Sequence, residues 1–159
     1  MSLSSAARTR IAAAACTATA MIAGTIATNP DSAWYRRLKK PSWEPPGWAF
    51  PVVWTPLYTA IGYAGGQALV SEDDPARRRA LAISFGANLV LNAGFCVAFF
   101  RGRSVGGGLA TQGVLNVLNA DLIRRAWAAD PKAGAALVPY AAWTVFASTL
   151  NAAILKLNR

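Results

Sequence analysis

Two stretches of this chain, Phe50 to Val70 and Ala80 to Phe100, contain no charged residue at all. A soluble helical bundle carries a charged outer face on each helix, so these runs argue against that alternative and for lipid. Together with 11–28, 105–127 and 133–155, they make five apolar segments (the two runs extended to 49–70 and 80–100). Each is close to the roughly 20 residues that cross a bilayer. The expected fold class is an all-α membrane protein. It is a bundle of five transmembrane helices with a long structured first loop at 29–48, in one domain over 1–159.

That first loop has a distinctive composition: Trp34-Tyr35-Arg36-Arg37-Leu38-Lys39-Lys40-Pro41-Ser42-Trp43-Glu44-Pro45-Pro46-Gly47-Trp48. Prolines stop a helix and stiffen the backbone. Tryptophan, tyrosine, lysine and arginine favour the membrane–water boundary. The stretch reads as a stiff, aromatic, basic lid lying on a membrane protein.

Hydrophobic residues make up 54% and charged residues only 14%, although mean hydropathy is a modest +0.30. The net charge of +9 resides mostly in cations between apolar segments. That placement points to anionic lipid headgroups and away from nucleic acid, for which no basic helix face or stacking platform is present. The chain has no histidine, which removes the commonest metal ligand and the usual haem ligand. Cys16 and Cys96 stand alone in different segments, with no CxxC pair and no zinc spacing, and read as small buried residues.

Segment one is rich in alanine and threonine; segment four carries Gln112, Asn116, Asn119 and Gly106-Gly107-Gly108. Both are expected to insert poorly alone and to depend on packing. Arg8 and Arg10 before segment one allow a signal-peptide reading. Asn29-Pro30 and the lid follow without a small-residue cleavage site, so it reads as a retained helix. Asp74-Pro75 and Asp130-Pro131 have the form of an N-cap plus first-turn proline, and Arg101-Gly102-Arg103-Ser104 that of a tight turn. Five antiparallel helices place the lid, this turn and the C-terminus on one side, with Arg36, Arg37, Lys39, Lys40, Arg101, Arg103, Lys156 and Arg159. The other side has Arg8, Arg10, Arg77, Arg78, Arg79, Arg124, Arg125 and Lys132. Eight cations against eight leave the positive-inside rule silent.

Three segments present mixed aromatic and amide stripes at helical spacing. They are Pro51, Trp54 and Tyr58; Ser84, Asn88, Asn92, Phe95 and Phe99; and Tyr140, Trp143, Ala147, Leu150 and Asn151. Pro56 is expected to bend its helix just after Trp54. Buried amides need partners in lipid, and tryptophan faces can stack on a flat conjugated ligand. Each stripe is equally readable as helix–helix packing. Ala82, Gly86, Val90, Gly94 and Ala98 recur every four residues, and Gly62 and Gly66 form GxxxG; such faces serve contact within the bundle or a homodimer through the third helix. Asp121, the one acid inside a span, lies three and four residues before Arg124 and Arg125. A local ion pair outweighs a proton relay there. No Ser/His/Asp set, paired carboxylates or phosphate-cradling loop appears.

Trp34-Tyr35, Leu38, Lys40-Pro41-Ser42-Trp43, Pro45-Pro46, Trp48, Trp54, Leu57-Tyr58, Leu91-Asn92, Phe99-Phe100, Pro139-Tyr140, Trp143, Phe146-Ala147 and Leu150-Asn151 resemble the TspO/translocator protein family. It is also called tryptophan-rich sensory protein or peripheral benzodiazepine receptor, and the resemblance covers nearly the whole chain. It implies five transmembrane helices, often a dimer, with a pocket beneath the first loop. The implied ligands are protoporphyrin IX and related tetrapyrroles and benzodiazepine-site small molecules, with cholesterol for some members. The family's pocket tryptophans fall on Trp54 and Trp143, its amide on Asn92 and its small residue on Ala147. Trp34, Trp43 and Trp48 become pocket cover, within a lid that includes Lys40, Pro41 and Pro45. Tyr58, Phe95, Tyr140 and Leu150 complete the implied ligand site.

Three departures stand out. Phe95 replaces a frequent tryptophan, Pro56 is less usual, and Ala152 stands where the sterol motif wants tyrosine, so that motif gives cholesterol no support. The leading expectation is a membrane receptor or carrier for tetrapyrroles, with a stress or tetrapyrrole-regulation role. The rings would lie between Trp54 and Trp143, and Arg36, Arg37, Lys39 and Lys40 would meet the propionates. No cofactor is required, and without histidine a free-base porphyrin is the natural ligand. One alternative is light- and oxygen-driven porphyrin breakdown through Trp54 and Trp143; another is a membrane scaffold acting through protein partners. The lost sterol motif favours a bacterial cell membrane.

Overall fold

The computed structural model describes residues 3–159. Ser4 caps α1 (Ser5–Ala27), its hydroxyl oxygen accepting from the Ala7 amide at 3.2 Å. The buried positions of α1 are Ala13, Thr17, Ala20, Gly24 and Ala27, a small-residue stripe at three- and four-residue spacing. Small side chains bring this helix close to its neighbours. A β-carbon added at Gly62 of α3 (Ala49–Ser71) would lie 3.6 Å from Thr17 Oγ1, and one at Gly66 3.1 Å from the Arg10 Cα. The GxxxG face of segment two is therefore spent on contact within the bundle.

α3 runs through Pro56 as one helix from Ala49 to Ser71. α4 (Pro75–Cys96) starts on the expected cap: Asp74 Oδ1 accepts from the Arg77 amide at 2.8 Å with Pro75 in the first turn. It continues into a π-helical turn over Val97–Arg101, closed by the Gly102 amide on Val97 O at 2.8 Å. The 101–104 turn follows, and Ser104 caps α5 (Val105–Ala129) by accepting from the Gly107 amide at 2.9 Å. Asp130 then caps α6 (Pro131–Ala136), with its Oδ1 2.8 Å from the Lys132 amide.

The element count exceeds the five helices expected from sequence. The 29–48 lid contains a short helix, α2 (Ala33–Arg37), capped by Ser32. The fifth segment is divided at Leu137 into α6 and α7 (Val138–Leu157). Pro139 explains the division: it has no amide to give the preceding turn and its ring crowds the carbonyl four residues back, so it suits the first turn of a new helix.

Three helical stretches are long and apolar enough to cross a membrane: Ser5–Ala27, Pro75–Arg101 and Pro131–Leu157. Segment one, expected to insert poorly, is among them. α3 and α5 have comparable length; α3 buries Gly62, Gly65 and Gly66, and α5 buries Gly108, Gln112 and Asn119. Apolar side chains on the outside, among them Ile22, Ile26, Ile83, Val90, Val117 and Val145, give the described residues a lipid-compatible exterior.

Candidate functional site

The polar stripes of four helices join in one directed chain of hydrogen bonds. Tyr58 Oη on α3 donates to Asn92 Oδ1 on α4 at 2.7 Å. Asn92 Nδ2 donates to Tyr140 Oη on α7 at 3.0 Å, and Tyr140 Oη donates to Asn88 Oδ1 at 3.0 Å. Asn88 Nδ2 donates to Asn119 Oδ1 on α5 at 2.6 Å, Asn119 Nδ2 to Thr144 Oγ1 at 2.7 Å, and Thr144 Oγ1 to Ala141 O at 2.9 Å. Each interior member accepts one bond and donates one, so five buried polar side chains are paired in a region without water. Asn88 and Tyr140 are at most 1% exposed.

Aromatic rings cover the start of this chain. Trp54 lies over Tyr58 with centroids 5.2 Å apart and meets the edge of Tyr140 at 6.1 Å. Trp143, one turn beyond Tyr140 on α7, packs on Phe146 at 5.2 Å and edge-on to Phe50 at 6.1 Å. Both tryptophans are half-buried against the same core cluster, which includes Leu57, Ile61, Leu89 and Tyr140. Of the expected ligand residues, the structure thus brings together Trp54, Tyr58, Asn92, Tyr140 and Trp143.

Phe95 and Leu150 belong to a second cluster with Phe99, Val105 and Ile154. Phe95 stacks on Phe99 at 5.5 Å. Phe50 joins the two clusters, since it packs against the second and touches Trp143. Ala147 is half-buried between these levels on α7. Two grooves, of about 350 and 300 Å³, open at the lid end, and Phe50 and Phe146 pack against Trp143.

The lid lies on both clusters. Trp34 meets the edge of Phe99 at 5.4 Å, Tyr35 packs on Phe100 at 5.3 Å, and Trp43 meets Phe146 at 6.0 Å. Trp48 stands 70% exposed at the start of α3. Pro41 and Pro45 are half-buried in the bends between these anchors. A buckle holds the lid shut on itself: Tyr35 Oη donates to Glu44 Oε1 at 3.0 Å, while Lys40 Nζ sits 3.6 Å from Glu44 Oε2 and 3.6 Å from the Tyr35 ring centroid. Burial, then the Glu44 charge and its hydrogen bond, push the Tyr35 phenol well above its usual range, so it remains a donor. A latch ties the lid to the end of α7. Asn158 Oδ1 accepts from the Lys39 amide at 3.0 Å, and Asn158 Nδ2 donates to Lys39 O at 2.8 Å.

Sequence reasoning missed Thr144, Phe50, Phe146, Glu44 and Asn158. Glu44 had a signal, four residues after Lys40; Thr144 had one only if its spacing to Ser148 and Asn151 is taken as a polar edge of α7. Asp121 sits where expected, in a local network: Arg124 Nη2 at 2.8 Å, Arg125 Nε at 2.7 Å and the Ser84 hydroxyl at 2.8 Å. Along the α5–α7 seam, Asn116 Nδ2 donates to Ser148 Oγ at 2.8 Å. Gln112 Oε1, Asn116 Oδ1 and both amide atoms of Asn151 are buried with no partner among the described residues.

The arrangement offers flat aromatic faces, a tyrosine–asparagine hydrogen-bonding edge and a basic aromatic cover. It is the architecture of an α-helical membrane protein with an aromatic and amide-lined interior. The TspO/MBR family matches residues 12–157, and the chain belongs to it. It is 37% identical over 144 residues to the tryptophan-rich protein TspO of Chlorobaculum tepidum, covering 90% of each chain. It is 33% identical to the tryptophan-rich sensory protein of Cereibacter sphaeroides, covering 81% of this chain and 78% of that one. It is also 33% identical to the human translocator protein, covering 79% and 75%. Family membership and the three apolar helices make this an integral membrane protein.

Proposed function

We propose that this protein is a multi-pass membrane receptor or carrier for tetrapyrroles such as protoporphyrin IX, with all five long helical units crossing the bilayer. The observation that carries the reading is the convergence of Trp54 and Trp143 on one cluster beside the Tyr58–Asn92–Tyr140 hydrogen bonds. A porphyrin is a flat apolar ring with polar nitrogens at its centre and acids at its rim. Indole faces stack on the ring, and the Tyr58–Asn92 edge faces it with groups that both donate and accept. Admission of a ligand moves Phe50, which meets Trp143 edge-on, and the lid-borne Trp43, which reaches Trp143 through Phe146. Lys40 is held by Glu44; Arg36, Arg37 and Lys39, exposed and without an ion pair among the described residues, are the lid cations available to propionates. Benzodiazepine-site small molecules suit the same aromatic surfaces. The family likeness to proteins named translocator and sensory protein supports the reading.

Titration with protoporphyrin IX in the dark, followed by tryptophan quenching, tests it. Saturable binding, weakened about tenfold or more in Trp54→Phe and Trp143→Phe, is expected from loss of a stacked indole in each. Unchanged affinity in both variants, or quenching that never saturates, rejects the reading. The same reading includes a homodimer through α4. Val90 is 71% exposed, and a β-carbon added at Gly86 or Gly94 would meet nothing within 4 Å, so this face is open to a second copy. Cross-linking in bilayers, with Gly94→Leu as the disrupting variant, checks that part.

A further inference from the structure

The two grooves at the lid end are neighbours. One, of about 350 Å³, is lined by Ser32, Ala33, Trp34, Arg37, Leu38 and Arg103. The other, of about 300 Å³, is lined by Ile26, Thr28, Asn29, Ser32, Phe100, Arg101 and Arg103. Ser32 and Arg103 are common to both. They lie between the end of α1, the lid helix α2 and the turn that leaves α4.

The backbone at this turn is specialised. The π turn carries one residue more per turn than an α-helix, a feature frequent at functional sites. A β-carbon at Gly102 would lie 2.6 Å from Ala98 O, so the chain must leave the helix here without a side chain. Arg103 then adopts φ 48°, the one positive φ at a non-glycine residue among those described. Such backbone strain is retained where surrounding structure or function holds it. The result is that Arg101 Nη2 donates to Ile26 O at 3.0 Å, fixing the wall to α1, while Arg103 lines both grooves. Arg37 and Arg103 have no ion pair among the described residues, and no carboxylate lines either groove; exposed Asp31 lines neither.

Three guanidinium groups, the Ser32 hydroxyl and the Asn29 amide thus border a space whose other walls are Trp34, Leu38, Ile26 and Phe100. Guanidinium suits phosphate oxygens, and the apolar walls suit the glycerol and first methylenes of an acyl chain at a membrane boundary. The geometry points to a binding site for the phosphate headgroup of an anionic lipid, held by Arg37 and Arg103 and separate from the Trp54–Trp143 site. It is independent of any tetrapyrrole binding.

Native mass spectrometry of the full-length protein in neutral detergent tests the assignment, with short-chain phosphatidylglycerol, short-chain phosphatidylcholine and inorganic phosphate as probes. Arg37→Gln/Arg103→Gln removes the two unpaired guanidiniums. Lys156→Gln/Arg159→Gln makes the same charge change at the same end of the molecule, outside the grooves. Expected are saturable binding of phosphatidylglycerol tighter than phosphatidylcholine, about tenfold weaker binding in the groove variant, and no loss in the C-terminal variant. Thermal unfolding of both variants confirms that they fold. Equal loss in both, or none in the groove variant, overturns the site. Inorganic phosphate binding as tightly as phosphatidylglycerol overturns the lipid assignment and leaves a soluble phosphate site.

Discussion

Tyr140 accepts from Asn92 and donates to Asn88, whereas Tyr58 only opens the chain by donating to Asn92. Removing the Tyr140 hydroxyl therefore strands one buried donor and one buried acceptor; removing that of Tyr58 strands one acceptor. At about 1–3 kcal/mol for a buried group left unpaired, Tyr140→Phe is expected to destabilise by roughly twice as much as Tyr58→Phe in detergent unfolding experiments. Equal effects would mean that the bonds beyond Asn92 contribute little. At this scale the sequence was informative about which amides turn inward, because Asn88, Asn92 and Asn151 share faces with aromatics at helical spacing. It was silent about who pairs with whom. Tyr58 and Asn92 are 34 positions apart and Asn92 and Tyr140 are 48 apart, and only the stagger of the packed helices sets those pairings.

Among the elements, α3 shows how one glycine-rich stretch serves two neighbours. Gly62 and Gly66 face α1, while Gly65 faces the Phe85 ring of α4, where a β-carbon would overlap the ring. Gly65→Ala is expected to cost about 1–3 kcal/mol through overpacking. Gly113→Ala, on the open face of α5, is expected to stabilise by up to about 1 kcal/mol through helix propensity. Thermal unfolding of the pair gives the two opposite signs, and the same sign in both would contradict the packing described.

Asp130 carries a different kind of element-scale effect. Its carboxylate accepts from Gln67 Nε2 at 2.9 Å and from the Lys132 amide at 2.8 Å, and these bonds, Gln67 first, hold the carboxyl below the ordinary carboxylate range. A depressed folded value means that the unfolded chain binds the extra proton first. The contribution is complete above the unfolded value of about 3.9 and is lost as pH falls through the folded one. Melting temperatures measured downward from about pH 5 are expected to fall more steeply for wild type than for Asp130→Asn. The caps themselves were legible as Asp-Pro pairs. The division of α6 from α7 was overlooked although Pro139 was in view, because apolar composition runs across the break unchanged. Helix α2 was hidden by lid prolines that end it rather than prevent it.

For the whole molecule, the shared end of lid, 101–104 turn and C-terminus followed from counting antiparallel helices. The structure ties the lid to the end of α7 through Asn158 on Lys39, and the turn to the end of α1 through Arg101 on Ile26. What patterning could not give is the closure of the lid, fastened by Trp34 on Phe99, Trp43 on Phe146 and Asn158 on Lys39. That closure has a consequence in time rather than in affinity. The Asn158–Lys39 pair holds the cover through two hydrogen bonds to one backbone unit of the lid. A gate of this kind caps how fast molecules arrive and how fast they leave by the same factor. Observed association of protoporphyrin IX in stopped-flow is expected to level off with concentration in wild type. Asn158→Ala is expected to raise that plateau and the dissociation rate together, leaving their ratio nearly unchanged. On the tetrapyrrole reading, the Asn158 carboxamide is thus the clasp that governs residence time.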